Sequence, residues 1–123
     1  MRESMPQIRA EHMRIYQELC RKLEKHNGRI VGFHGTSADI ARVIEEVGFK
    51  DQVCVEGGYG IWFYDEDVAN TAEIAAKRKA QERGQSRGAV IRAELSNPKP
   101  DTKGRKQWLA HSSSITVLDV QYL

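Results

Sequence analysis

The sequence predicts an α+β protein whose core is mainly a β-sheet. The candidate elements follow one another as helix, strand, helix, strand, helix and then strands, an order typical of this class. The 123 residues fit one compact domain with a modest core, and they contain no internal repeat. We therefore expect a single domain over residues 1–123, made of an N-terminal helix within 1–28 and a core over 29–123.

The composition is that of an ordinary globular protein and does not indicate a nucleic-acid partner. A hydrophobic content of 40% and a charged content of 29% are ordinary for a soluble globular protein. The net charge of +2 is too small to indicate nucleic-acid binding. Basic residues do cluster, at 77–79 and at 103–106, but a solvated helix face explains such clusters.

We expect a cytoplasmic protein with no membrane partner. No apolar stretch approaches the roughly 18 residues that would span a bilayer. Residues 1–6 contain no signal-peptide hydrophobic region. Cys20 and Cys54 form no metal or redox motif, so they are expected to be reduced thiols, and a bridge between them has little support.

The first predicted helix covers residues 7–26. Apolar side chains recur there near helical spacing, and charged residues lie between them. Asn27-Gly28 is a stop signal because glycine adopts the left-handed conformation at little cost. We expect this helix to pack against the domain, with binding of a partner as the alternative. The first predicted strand covers residues 29–34 and stops at the stretch 34–37.

A second helix is predicted directly after this strand. Thr36 or Ser37 can cap it, and Asp39 suits the positive end of its dipole. Gly48 closes it. Its apolar face consists of Ile40, Val43, Ile44 and Val47.

The glycine-rich stretch 57–60 predicts a loop that turns sharply or approaches a ligand closely. It separates a brief apolar piece at 53–55 from a buried strand predicted at 61–64. Asp65 is expected to cap the next helix, which runs to about Arg83 and carries basic residues late, where they complement the helix dipole.

The last third of the chain is predicted to be mostly strands. Residues 89–95 alternate enough for a strand, which Asn97-Pro98 stops because proline cannot donate to a sheet. Residues 99–108 are expected to form a mobile basic loop. Residues 114–123 predict one long strand or two short ones.

Three short motifs occur in order: His34-Gly35-Thr36, Gly48-Phe49-Lys50, and Gly58-Tyr59-Gly60-Ile61-Trp62-Phe63. A lone histidine at a strand end is more often structural, but the set resembles the poly(ADP-ribose) polymerase-like, diphtheria-toxin-type ADP-ribosyltransferases. Their pattern is H-G-[ST], a helix ending in G-[LF]-[RK], and then G-x-G-[IL]-Y-F. The resemblance covers residues 30–75, and residues 88–123 by strand order alone. It implies an ADP-ribosyltransferase-like split β-sheet core with flanking helices, and NAD as the substrate.

The resemblance also implies roles for single residues. Trp62, where the family has tyrosine, would stack on the nicotinamide ring. Gly35 would bind the carboxamide through its backbone N–H and C=O, because no Cβ holds the backbone away. His34 would bind a ribose hydroxyl, and Lys50 would lie on the pyrophosphate or adenosine side. The other implied NAD contacts are Thr36, Tyr59, Tyr64, and Asn70 or Thr71. Without the resemblance, the simpler interpretation is that Trp62 is a core residue, Lys50 is a cation at the end of a helix and Asn70 is an exposed helix residue.

The family places a glutamate at the start of a late strand, where it binds the nicotinamide ribose and stabilises the oxocarbenium-like transition state. The stretch 112–117 matches the family's final block and puts Ser113 at the position of this glutamate. A serine can hydrogen-bond a ribose hydroxyl but supplies no negative charge, and His111 nearby could assist as a base. The resemblance therefore implies a mono-ADP-ribosyltransferase or an inactive member, with Ser113 as the third catalytic position beside His34 and Trp62.

We expect a mono-ADP-ribosyltransferase that moves ADP-ribose from NAD to a macromolecular acceptor and releases nicotinamide. The acceptor is expected to be a protein, and the basic residues at 103–106 are weak support for an acidic partner such as nucleic acid. One alternative is a non-catalytic module that binds NAD, ADP-ribose or a protein partner. Another is an RNA 2′-phosphotransferase, for which no second histidine or arginine stands at a convincing position. A small α+β domain without an NAD site is the simplest alternative.

Overall fold

The structure, a computed structural model, describes residues 7–54 and 58–123, and the side chains of residues 52–59 lie outside the description. The helices are α1 (Ala10–Lys25), α2 (Ala38–Val47) and α3 (Ala69–Glu82). The strands are β1 (Arg29–Ser37), β2 (Gln52–Cys54), β3 (Gly58–Asp65), β4 (Gly88–Ser96), β5 (Lys99–Pro100), β6 (Gln107–Ala110) and β7 (Ile115–Tyr122). Short 3₁₀ turns occupy Glu66–Val68 and Ser112–Ser114.

The predicted α+β class is confirmed. In the part of the chain that the structure describes, an open antiparallel sheet has the strand order β5-β6-β3-β1-β4-β7, and β2 pairs with β3 outside this order. None of the described helices is long and apolar enough to cross a membrane.

The central strand β1 pairs very differently with its two neighbours. All nine of its residues are in register with β4, from Arg29 opposite Ser96 to Ser37 opposite Gly88. Its register with β3 covers Gly32 opposite Asp65 and Phe33 opposite Tyr64. Beyond Phe33, β1 and β3 therefore separate within the sheet, and this separation positions the candidate site.

The expectation that the first strand stops at His34 is wrong, because pairing with β4 carries β1 through to Ser37. Ser37 is the N-cap residue of α2 as predicted, but its hydroxyl donates to the Asp39 carboxylate instead of accepting from the helix backbone. The helix predicted at 7–26 is present as α1, but it begins three residues later than predicted, at Ala10.

The glycine-rich stretch is part of a strand and not wholly a loop. β3 begins at Gly58 because β2 pairs alongside it, with Gln52 opposite Gly60. Gly60 lies at a close approach to β6, where a Cβ would come within 3.0 Å of the Ala110 carbonyl oxygen. The end of the brief apolar piece predicted at 53–55 falls on residue 55, outside the described residues.

The segment predicted to be a mobile basic loop at 99–108 is structured. It contains β5 and the start of β6, and its turn is organised by the buried Asp101 carboxylate. This carboxylate accepts from the Lys103 N–H at 3.0 Å, from the Arg105 N–H at 2.9 Å and from the Arg105 guanidinium at 3.1 Å. Trp108, in the same segment, is fully buried.

A buried polar cluster ties α1 to the sheet. Asp65, which is 1% exposed, accepts from the Trp108 indole N–H at 2.9 Å and from the Lys22 ammonium at 3.0 Å. It also accepts from the Asp67 N–H at 3.1 Å, as a residue that caps the following turn should. Burial raises the pKa of the Asp65 carboxyl, but these three hydrogen bonds outweigh burial and hold it below its usual value.

Candidate functional site

A cavity of about 530 Å³ opens where β1 and β3 separate. Its volume lies in the range of sites that bind small molecules and cofactors. The lining residues come from β1, α2 and the loop after it, β3, α3 and β6. They include His34, Gly35, Thr36, Ile40, Val43, Ile44, Val47, Phe49, Lys50, Trp62, Phe63, Tyr64, Arg78, Lys79 and Gln107.

His34 bridges the gap between the separating strands. Its Nδ1 lies 2.9 Å from the Trp62 carbonyl oxygen. A carbonyl oxygen can only accept, so Nδ1 carries the proton and Nε2 is left as an acceptor in the neutral ring. Phe49 and Phe63 pack against the imidazole, with ring centroids 5.4 Å and 5.5 Å away.

The charge on His34 is suppressed by its surroundings. Burial lowers the pKa of the imidazole, and the nearby Lys79 ammonium lowers it further, to about 4. The hydrogen bond to Trp62 acts in the opposite direction but is outweighed. At neutral pH, His34 is therefore an uncharged donor toward Trp62 and an uncharged acceptor through Nε2.

Gly35 packs so closely against α3 that a Cβ atom at this position would clash with the helix backbone. A Cβ at this position would be 2.1 Å from the Ala72 carbonyl oxygen and 2.8 Å from the Ala76 nitrogen. Both are helix backbone atoms, which cannot move independently of the helix. The Gly35 carbonyl accepts from the Lys79 ammonium at 2.7 Å. The resemblance implies that the Gly35 carbonyl binds the nicotinamide carboxamide, but in this structure the carbonyl already accepts a hydrogen bond from the Lys79 ammonium.

Trp62 lines the cavity and is half-buried. The Arg105 guanidinium lies 5.9 Å from its ring centroid, within the range of a cation–π contact. Trp62 alternates along β3 with buried Ile61 and Phe63. Ile61 and Phe63, on the other face of β3, belong to the core and also line the cavity, so both faces of this strand end contribute to it.

The structure brings some of the predicted site residues together and leaves others apart. His34, Gly35, Thr36, Lys50, Trp62 and Tyr64 all line the cavity. Asn70 and Thr71 lie in the first turn of α3 and are not among the described residues that line it. The backbone of Tyr59 belongs to β3, but its side chain lies outside the described residues.

Ser113 lies away from the described lining of the cavity. It is an exposed residue of the 3₁₀ turn before β7, and its neighbour Ser112 is held by Asp51, whose carboxylate accepts from the Ser112 N–H at 2.6 Å. Gln107 is instead the residue that stands at the start of a late strand and lines the cavity. As the first residue of β6, it pairs with Tyr64 of β3.

The prediction of a loop at 99–108 leaves Gln107 out of the candidate site, whereas the structure places it in β6 at the cavity. One signal was available: Trp108, directly after it, is a large apolar residue in an otherwise polar basic stretch. A residue of this kind is typical of a core position in a short strand.

The charged side chains among the described lining residues of the cavity are all cationic. Lys50, Arg78 and Lys79 line it, and none of the described lining residues is an aspartate or glutamate. The interpretation of residues 77–79 as a solvated helix face therefore holds for the exposed Lys77 but not for Lys79, which is half-buried.

No protein-family model matches this chain, and no curated protein matches its sequence.

Proposed function

We propose that this chain is a mono-ADP-ribosyltransferase of the NAD-dependent, diphtheria-toxin type. It would bind NAD in the cavity between β1 and β3 and transfer one ADP-ribose to a macromolecular acceptor, a protein in this proposal, with release of nicotinamide. The separation of β1 from β3 beyond Phe33 carries the proposal, because it leaves His34, Gly35 and Trp62 around one cavity of about 530 Å³.

The protonation of His34 suits contact with a ribose. With Nδ1–H engaged by the Trp62 carbonyl, Nε2 is an acceptor that a ribose hydroxyl can donate to. Because the pKa of His34 is lowered to about 4, this acceptor persists throughout the physiological pH range. The indole of Trp62 offers a planar surface for the nicotinamide ring.

Transfer from NAD in the presence of a cell lysate tests the proposal. Wild-type protein is expected to release nicotinamide and to label a macromolecule from NAD carrying a radioactive adenylate phosphate. His34→Ala should lower both signals by roughly 10²-fold, the order of loss for a group that stabilises a transition state. His26→Ala is the matched control, because His26 is exposed at the end of α1. Absence of both signals with the wild-type protein would refute transferase activity.

A second candidate function is a non-catalytic module that binds NAD or ADP-ribose. One observation favours it: Gln107, with a neutral amide, stands at the start of β6 in a cavity whose described lining has no carboxylate. Breaking the glycosidic bond of NAD develops positive charge on the ribose, and an amide dipole stabilises that charge less than a carboxylate does. This candidate predicts saturable NAD binding without nicotinamide release.

Nicotinamide release by the wild type separates the two candidates, and Gln107→Glu tests whether the missing negative charge limits that release. If the site lacks only the negative charge, this variant should release nicotinamide roughly 10²-fold faster than the wild type. Ser113→Glu adds the same charge at an exposed position off the cavity and is expected to give no gain. An equal gain in both variants would contradict the assignment of the third position to Gln107.

A further inference from the structure

The helix α3 contributes two cations to the cavity. Neither of the two candidate functions proposed above assigns a role to them. Arg78 and Lys79 both line the cavity. The Arg78 guanidinium is mostly exposed, with Nε 3.8 Å from the Glu82 carboxylate one turn later. An exposed pair at this distance is weak, so Arg78 can turn toward a stronger anion.

Lys79 is held differently from an ordinary surface lysine. It is half-buried, and its ammonium donates to the Gly35 carbonyl at 2.7 Å. An ammonium has three N–H groups. Among the residues that the structure describes, one of these groups is directed at Gly35, so the other two can donate to a ligand in the cavity.

The surroundings of Lys79 disfavour its charge at the cavity wall more than they stabilise it. Burial and the neighbouring Arg78 lower the pKa of the Lys79 ammonium, while Glu82 raises it. The ammonium also lies near enough to His34 to lower the pKa of that imidazole. An anion placed here would gain charge-assisted hydrogen bonds and relieve repulsion between the two cations.

We propose that Arg78 and Lys79 form a phosphate subsite, which takes the pyrophosphate of a nucleotide whose apolar part lies against α2. The apolar part of the lining supports this ligand class, because α2 presents Ile40, Val43, Ile44 and Val47 to the same cavity. A ligand that fits both parts of the lining carries phosphate groups on one part and a planar or apolar group on another. The subsite rests on the proposed function where it concerns NAD, but its chemistry extends to any nucleoside diphosphate.

Calorimetric titration with ADP-ribose and with inorganic pyrophosphate tests the subsite. Lys79→Met, which keeps the length of the side chain without the charge, should weaken ADP-ribose binding at least tenfold, which corresponds to about 1.4 kcal/mol. Arg78→Met, at a mostly exposed position that tolerates change, should weaken it at least threefold. Lys77→Met removes an equal charge from an exposed position of the same helix and should change binding by less than twofold. Pyrophosphate should compete with ADP-ribose in the wild type and not in Lys79→Met.

The outcomes separate the subsite from the proposed function. If the wild-type protein cleaves NAD and the three variants bind ADP-ribose as well as the wild type does, the subsite is wrong and the proposed function stands. If NAD is neither bound nor cleaved, but binding of ADP-ribose or pyrophosphate depends on Lys79, the subsite stands and the proposed function fails. Equal weakening by Lys77→Met and Lys79→Met would also refute the subsite, because it would reflect net charge alone.

Discussion

The lowered pKa of His34 predicts a specific dependence of stability on pH. The pKa falls from 6.5 in the unfolded chain to about 4 in the folded protein. Between these values the unfolded state binds more protons than the folded state, so stability must decrease as the pH falls. Each pKa unit corresponds to about 1.4 kcal/mol, so the loss between pH 7 and pH 4 is about 3 kcal/mol.

His34→Asn isolates this contribution. The asparagine amide can still donate to the Trp62 carbonyl from the position of Nδ1, but it does not titrate. The variant loses ring contacts with Phe49 and Phe63, so its stability at pH 7 is expected to be lower. The informative quantity is therefore the change in unfolding free energy with pH, in which the other titrating groups contribute equally to both proteins.

Urea denaturation at half-unit steps between pH 4 and pH 7 measures the effect. The wild type should lose about 3 kcal/mol more than His34→Asn over this range, with most of the loss below pH 6.5. Parallel pH profiles for the two proteins would show that His34 titrates normally. The neutral imidazole, and the acceptor role of Nε2 that depends on it, would then be wrong.

Two further predictions concern packing around the site. Asp65→Asn should destabilise the protein by about 3 kcal/mol in urea denaturation. In the wild type, three donors share the buried Asp65 carboxylate, and in the variant an amide N–H would face one of them. Asp67→Asn, at an exposed position, should change stability by less than about 0.5 kcal/mol, and equal effects of the two would contradict the cluster. Gly35→Ala should cost about 1–3 kcal/mol in thermal unfolding, because its Cβ would fall 2.1 Å from the Ala72 carbonyl oxygen and force α3 outward. An unchanged melting temperature would rule out this close contact.

Local sequence signals were sufficient for most of the elements. The helical spacing of apolar residues in α1 and α2, and the stop signals at Gly28 and Gly48, act within a few residues of the chain. For the same reason His34, Gly35 and Trp62 could be selected as site candidates from their motifs. Element ends were less well predicted where pairing with a distant strand extends a strand, as β4 does for β1.

Gln107 shows where local signals fail to identify a residue that lines the cavity. Residues 115–122, rich in β-branched and other apolar side chains, form the more obvious late strand, and the resemblance places Ser113 shortly before its start. β6 has only four residues and follows a stretch rich in proline, glycine and lysine, which is typical of a loop. Pairing of β6 with β3 makes it a strand and brings Gln107 to the cavity.

Residue types and local spacing therefore specify the helices, the main strands and several of the residues that line the cavity. Contacts between distant segments decide which polar and charged side chains line the cavity. Gln107 is brought there by the pairing of β6 with β3. Lys79 is brought there by the packing of α3 on β1, where its ammonium donates to the carbonyl of Gly35, 44 residues earlier in the chain. The physical reason is that periodicity and turn propensity act over a few residues. Side chains from β1, α3 and β6 share one cavity only after strand pairing and helix packing have set their positions.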